Sequence, residues 1–314
     1  MSIDISVVVL SYDRVHLLER TLKALFASPA RASYELVVVD NHPDQLARGL
    51  VEGLARTAAA PVTYLADARR NVSIVRNLGI KAAKGRYVAF VDDDEAPQPG
   101  WTDALTECLD RTGADACFGP KRPEFESGAP PEWDPQGWRY TLDFKMERDE
   151  PIHMFGRLRK KGKGLGSGNS AYRVATCMDG AEPFDVTYGD ANGEDTQFLF
   201  RLALEGKSFV WTPDAVVVEF IETDRTKPDY MITRMKRGSQ HYAASRIGTS
   251  DSKAWTRVKV SFLGLAQFVV HLGLFLASGE FARRDRIDNR IGMAKGLGKL
   301  TWRAPIGFID EKAV

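Results

Sequence analysis

The sequence predicts an α/β fold in which a mostly parallel central sheet is flanked by helices, and three observations carry that prediction. Apolar runs of strand length alternate four times with helical stretches within about the first 110 residues. These runs are continuously apolar, so both of their faces must be covered, as in a parallel sheet between helix layers. Each run ends in polar residues: Ser11-Tyr12-Asp13, Asp40-Asn41 and Asp92 to Glu95. Ligands of open parallel sheets gather beyond the carboxyl ends of the strands, so these residues should converge on one edge. Asp and Asn are also ordinary turn residues, and that plainer reading stands beside the functional one.

The elements follow in order. Ile3 to Ser11 is a β-branched strand, and Asp13 is placed to cap the next helix. In that helix Leu17, Leu18, Thr21, Leu22 and Leu25 recur at helical spacing. Tyr34 to Val39 is the second strand, Gln45 to Thr57 a helix, and Val62 to Leu65 the third strand. Ser73 to Ala83 is helical and stops at Gly85; Tyr87 to Val91 is the fourth strand. Beyond Pro97 and Pro99 a helix runs from about Trp101 to Arg111. Residues 119–168, rich in Pro, Gly, Trp and charge, read as irregular, and a loop of that length points to a functional insertion. Order returns with a helix from Asp195 to Leu204 and strands at Ser208 to Trp211 and Ala215 to Phe220. From about Pro228 the chain is helical and basic.

Composition narrows the partners. Apolar residues make up 44%, enough for a sizeable core. The 43 Lys and Arg against 42 Asp and Glu leave a net charge of +1, so the chain is not a general polyanion binder and nucleic acid is not an expected partner. Cys108, Cys117 and Cys177 lack metal-ligand spacing and read as ordinary thiols of a reducing compartment. The N-terminus reads as a first buried strand, not a signal peptide.

Two acidic clusters carry the chemistry. Asp92, Asp93 and Asp94 crowd like charge at a strand end, which costs several kcal/mol unless a cation or hydrogen bonds neutralise it. A hard divalent cation with oxygen ligands is a natural remedy, and such an ion can bridge the phosphates of a nucleotide diphosphate. Residues i and i+2 can share a side, so Asp92 and Asp94 are the pair expected to face one ion. The second cluster, Gly193-Glu194-Asp195-Thr196, opens a helix. An acid there is commonly a cap; beside the first cluster it becomes a candidate general base.

With these pieces in view the sequence resembles glycosyltransferase family 2, the inverting nucleotide-sugar transferases of GT-A fold, from Ile3 to about Gly238. The segments that carry the resemblance stand in order: VVVLSYDR, LVVVDN, VSIVRNLGIKAAKGRYVAFVDDDEAP, GSGNSAYR and NGEDTQFLFRL. The DDDEAP-W start, the Gly-Glu-Asp helix and VVVEFIETDR look most like bacterial exopolysaccharide transferases of the succinoglycan type. The resemblance implies a catalytic unit over residues 1–227. Its nucleotide-binding half is about 1–118 and its acceptor half about 119–227. A basic helical extension follows over 228–314.

It also implies roles. Asp94, with Asp92, would hold Mg²⁺ or Mn²⁺, and Asp92 or Asp93 would touch the ribose. Asp40 would contact the base. Ser11, Tyr12 and Arg14 would wrap the nucleotide, Tyr12 stacking on the base and Arg14 meeting phosphate. Arg76 and Asn77 match a pair near the donor. Asp195 would take the proton of the acceptor hydroxyl, and Glu194 would orient acceptor or base. Two departures stand out. Many relatives carry a metal-binding His where Val218-Glu219 stands, with Glu219 the nearest analogue. The Gln-x-x-Arg-Trp motif of processive synthases is absent, its nearest basic equivalent being Arg234-Met235-Lys236-Arg237, which implies addition of a single sugar.

Two stretches bear on partners. Arg157 to Lys163 is basic and precedes the Gly-rich GLGSGN; it reads as a solvated loop or as a flap over the donor diphosphate or a lipid-carrier phosphate. Phe262 to Ser278 is apolar but for Gln267 and His271, and is marginal for spanning a bilayer core of roughly 30 Å. Basic residues flank it: Arg257 and Lys259 before, Arg283, Arg284 and Arg286 after. A helix or helical hairpin lying in an anionic cytoplasmic leaflet fits this pattern, with a core helix and a true span as alternatives. The protein is therefore expected at the cytoplasmic membrane surface, acting on a glycan or a polyisoprenoid-linked acceptor. Two rival functions remain. A sugar-phosphate nucleotidyltransferase shares the alternating architecture, but VVVLSYDRVHLL lacks the glycines of a triphosphate loop. A non-catalytic nucleotide-sugar-binding module is opposed by the intact Asp92, Asp94 and Asp195.

Overall fold

The computed structural model of the chain describes residues 3–155, 164–191, 193–279 and 283–303. The basic Arg157 to Lys163 stretch lies outside the described residues.

A seven-stranded sheet forms the centre. Three β-branched strands start it: β1 (Ile5–Ser11), β2 (Tyr34–Asp40) and β3 (Val62–Ala66). Between them lie α1 (Val15–Ala27) and α2 (Arg48–Ala55). Next come α3 (Val72–Ala82), β4 (Tyr87–Asp92), β5 (Glu95–Pro97), α4 (Trp101–Thr112), β6 (Ala116–Phe118) and β7 (Lys121–Phe125). After the long insertion come β8 (Ser170–Arg173), the single turn α5 (Val174–Cys177), α6 (Glu194–Leu204), β9 (Phe209–Trp211) and β10 (Val217–Ile221). The central order is β3-β2-β1-β4-β8-β6-β9. Every strand pair in it is parallel except those made by β8, which runs antiparallel to β4 and β6. The mostly parallel sheet read from the sequence is thus present.

Its core lies on both faces. Val7, Val9, Val38 and Ala89 pack with α1 and α4 on one side. Val8, Val37, Phe90 and Tyr172 pack with α3 and α6 on the other. This two-sided burial is why the strands are apolar throughout; each such side chain contributes about 1.5–3 kcal/mol when fully buried. The register sets Ser11 opposite Asp40, and Leu10 opposite Asp92, so the polar strand ends share one edge.

Local corrections have local causes. Asp13 does not cap α1; Arg14 occupies the cap position and makes no side-chain cap bond. The second helix begins at Arg48, not Gln45, because Gln45 is left-handed at φ 53° and residues 41–47 form a turn. The insertion contains β7, which pairs with β10 and, through it, β5 in a second, three-stranded sheet. That pairing spans about a hundred residues of sequence and leaves no periodic mark in one short segment. All three cysteines are buried and form no disulfide.

Beyond β10 the described chain is helical: α7 (Pro228–Gly248), α8 (Lys253–Ala277) and α9 (Arg283–Leu300). Helix α9 packs against both α7 and α8. Helix α8 buries only Val260 and Gly264. Phe262, Val269 and Leu276 are 68%, 56% and 73% exposed, so α8 is not a core helix. Its polar interruptions face α9: Gln267 Oε1 accepts from Lys299 Nζ at 2.5 Å, and His271 Nδ1 lies 3.0 Å from Asn289 Oδ1.

Candidate active site

An open cleft of about 1940 Å³ runs along the polar edge of the sheet and under α7 and α9. Both acidic clusters line it, as do Ser11, Tyr12, Arg14 and Arg76.

The first cluster is neutralised by side chains from distant elements. Strand β4 ends at Asp92, and the chain turns through Asp93 and Asp94 into β5. The alternation of a strand is lost in that turn, so Asp93 and Asp94, not Asp92 and Asp94, share a partner. Arg14 donates to Asp93 Oδ1 at 2.5 Å and to Asp94 Oδ2 at 2.8 Å. Arg225 Nη1 reaches the same Asp94 oxygen at 2.6 Å and its Nη2 reaches Glu219 Oε1 at 3.2 Å. Lys121 pairs with the buried Glu95, and its Nζ lies 3.4 Å from Asp92 Oδ2. Burial raises Asp93 to about 7 and Glu95 to about 8. Asp94 is also penalised by burial, yet Arg14 and Arg225 together hold it well below the carboxylate range. Asp92 is the accessible member, its side chain 43% exposed.

The second cluster opens α6. Glu194 is buried and accepts from Arg76 Nε at 3.1 Å; its Oε2 has no hydrogen-bond partner among the described residues. Burial pushes Glu194 up to about 7, against the opposing pull of Arg76. The Arg76 guanidinium sits over the Phe90 and Phe184 rings at 5.1 and 5.5 Å, which fixes it between the two clusters. Asp195 is half-buried; its Oδ1 accepts from the Thr196 N–H at 2.5 Å. Burial raises Asp195, and that effect outweighs Arg76 and the Thr196 bond.

One loop joins the clusters. A Cβ on Gly166 would lie 3.1 Å from Asp195 Oδ2, and one on Gly168 would collide with the Asp92 carboxylate and Lys121. Two residues span at most about 7 Å, so Asp92 and Asp195 flank the same short backbone. Asn169 ends the loop in the left-handed region at φ 52°. Its amide accepts from Trp101 Nε1 at 2.7 Å and donates to Pro120 O and Ala215 O at 2.9 and 2.8 Å.

The remaining sequence candidates divide. Tyr12 is 37% exposed in the cleft, beside His42 and under the Arg70 guanidinium at 5.5 Å. Ser11 is buried there, and its Oγ has no partner among the described residues. Asp40 and Asn77 do not line the cleft. Asp40 is fully buried and accepts from His42 N, Ala47 N and Tyr64 Oη at 2.8, 2.8 and 3.0 Å, so it shapes the loop after β2. Asn77 clamps the Phe184 backbone, donating at 2.8 Å and accepting at 2.9 Å. Arg225 and Lys121 were not picked out from the sequence; the one signal was the crowding of acids that needed counter-ions.

Among the described residues no three His, Cys, Asp or Glu side chains are arranged as a metal cage. Asp92, Asp94 and Glu219 line the cleft and are of the kind a hard divalent cation takes, with Asp94 engaged here by Arg14 and Arg225 and Glu219 by Arg225.

Fold and cleft together define a GT-A glycosyltransferase. Solved structures carry the fold: the Pyrobaculum calidifontis mannosyltransferase PcManGT, in complex with GDP-Man and Mn²⁺, superposes with TM-score 0.62 at 17% identity, covering 96% of this chain and 88% of that one. S. aureus TarS 1–349 in complex with UDP-GlcNAc gives TM-score 0.53 at 17% identity, with 94% and 91% covered. The chain belongs to glycosyltransferase family 2, whose description, "Glycosyl transferase family 2", matches residues 6–175. It is 31% identical over 300 residues to the succinoglycan biosynthesis protein ExoM of Rhizobium meliloti, covering 94% of this chain and 92% of that protein. An Escherichia coli chondroitin synthase is 30% identical over 118 residues, 38% of this chain and 17% of its own length.

Proposed function

We propose that this glycosyltransferase moves a sugar from a nucleotide-diphosphate donor to an acceptor hydroxyl with inversion, in the assembly of a bacterial exopolysaccharide or another surface glycan. The carrying observation is that Asp92, at the end of β4, and Asp195, in the first turn of α6, flank the Gly166–Gly168 loop in one cleft. Residues 1–227 act as the catalytic unit and 228–314 as a membrane-facing extension.

The base of the donor stacks on Tyr12, with Ser11 and Asn41 beside it and Asp40 holding their loop. Arg14 leaves Asp93 and Asp94 for the donor phosphates, to which its guanidinium is suited. Asp92 and Asp94 would hold Mg²⁺ or Mn²⁺, and such an ion would lower the cost of charge on the departing diphosphate. Asp195 accepts the proton of the acceptor hydroxyl as that oxygen bonds to the anomeric carbon. The bond from that carbon to the diphosphate oxygen breaks on the opposite face, so its electron pair leaves with the nucleotide diphosphate. Glu194 holds Arg76 between the two carboxylates and positions Asp195 by packing.

The exposed apolar side of α8, with basic residues at its flanks, supports attachment to the cytoplasmic surface of the cell membrane and an acceptor carried on a glycan or polyisoprenoid. The test is a panel of nucleotide sugars assayed for donor hydrolysis and thermal stabilisation, with Mg²⁺, with Mn²⁺ and with excess chelator. One or a few donors should be cleaved only with metal present. No cleavage or stabilisation across the panel overturns the reading.

A further inference from the structure

The wall of the cleft made by α7 and α9 is basic in a way the donor chemistry does not use. On α9, Arg284, Asp288, Lys295 and Lys299 recur at helical spacing and all line the cleft. On α7, Arg234 and Arg237 do the same one turn apart. Asp288 is the one carboxylate these helices bring to the cleft among the described residues, and Arg139 already engages it. Lys295 and Arg234 form no ion pair with a described carboxylate, and Lys299 donates to the neutral Gln267 amide. Burial pulls Lys295 and Lys299 below the usual lysine range, and Arg237 below its own. Cations held this way are stabilised by an anion that arrives from solution.

Helix α9 is also the partition between this wall and α8. Gly264 and Gly296 face each other, and a Cβ on either would lie 2.8 or 2.7 Å from the other's carbonyl oxygen, so the two helices touch backbone to backbone. The cationic wall therefore stands one helix away from the bare apolar face.

We propose that Lys295, Lys299, Arg234 and Arg237 form a second phosphate subsite, which takes the phosphate or diphosphate carried by the acceptor. The proposal rests on the transferase reading above. It separates two anions within one cleft: the donor diphosphate at the strand ends near Arg14, and the acceptor phosphate on the helical wall. The acceptor's hydroxyl then reaches Asp195, which lines the same cleft.

Titration of the full-length protein in EDTA tests this, since the chelator keeps cations from bridging the probe to Asp92 and Asp94. The probe is farnesyl diphosphate, with inorganic pyrophosphate as competitor; sedimentation with phosphatidylglycerol vesicles is measured in parallel. Lys295→Ala with Lys299→Ala should weaken farnesyl diphosphate binding about tenfold or more, as loss of charge-assisted contacts predicts. Lys295→Arg with Lys299→Arg should retain it, and pyrophosphate should compete. Unchanged affinity in the alanine pair overturns the proposal. So does equal loss in the arginine pair, which would make the lysines structural. Failure of pyrophosphate to compete also overturns it, as does loss of vesicle binding alone, which would assign the lysines to lipid headgroups. Failure of the transferase reading looks different: no nucleotide sugar is cleaved while the phosphates still bind.

Discussion

Asp195 and Glu194 are neighbours in sequence with different surroundings. Glu194 is buried against Arg76, whereas Asp195 meets the cleft and the glycine loop. In the proposed reaction Asp195 takes the proton of the bound hydroxyl, and burial, which raises its carboxyl above the ordinary value, makes it a stronger base. Asp195→Asn keeps size and can still accept from the Thr196 N–H, so turnover should fall about 10²-fold or more while donor affinity stays near normal. A base works ionised, so turnover should fall as pH drops through an apparent pKa above 3.8, and the variant's residual rate should lack that acid limb. Near-normal turnover in Asp195→Asn would pass the base role to Glu194. The first cluster makes a separable forecast. Asp94 is buried under two guanidiniums, so Asp94→Asn should lower turnover and also stability, by about 3 kcal/mol in denaturant unfolding. Asp92 is exposed, so Asp92→Asn should lower turnover with a stability change within about 0.5 kcal/mol. Equal stability loss in both would mean the cluster is a structural network only.

At the scale of elements, the sequence was most legible where structure is local. The alternation of strands and helices followed from continuous apolar runs, because each strand of the central sheet is covered on both faces. The acids at the end of β4 stand out because three crowded carboxylates need counter-ions, whereas those in the first turn of α6 also fit an ordinary helix start. What pairs with them was not legible. Lys121 arrives on β7 and Arg225 just after β10, and only the second sheet brings them to Asp92 and Asp94. Asp40, to which the resemblance gives a base contact, accepts here from N–H groups of its own loop, as a carboxylate followed by a tight turn can. The glycine loop shows the same non-local logic. A methyl group on Gly168 meets flexible side-chain ends, not backbone, so Gly168→Ala should leave the melting temperature almost unchanged. It should instead displace the Asp92 carboxylate and raise the KM for donor. A large loss of stability with normal donor KM would remove the loop from the site.

For the whole molecule the deciding feature is the side of α8 turned away from α9. Phe262, Val269 and Leu276 recur every seven residues on it and are 68%, 56% and 73% exposed. An exposed apolar stripe of that kind marks an interaction surface. The inward side is committed elsewhere: Gln267 and His271, which interrupt the apolar run, bond to Lys299 and Asn289 of α9. A helix tied to the protein along one side and bare along the other suits the plane of a leaflet better than a crossing of it. Burying each such side chain contributes about 1.5–3 kcal/mol, so the three together would dominate an attachment to a bilayer. Replacing Phe262, Val269 and Leu276 by Glu should therefore reduce sedimentation with phosphatidylglycerol vesicles about tenfold or more. The cleft, on the far side of α9, should keep its donor stabilisation, and the melting temperature should hold because the three side chains touch solvent. If the unaltered protein stays in the supernatant with such vesicles, the membrane reading fails. If the triple variant instead converts a dimer to a monomer in gel filtration, the stripe belongs to a second copy of the chain.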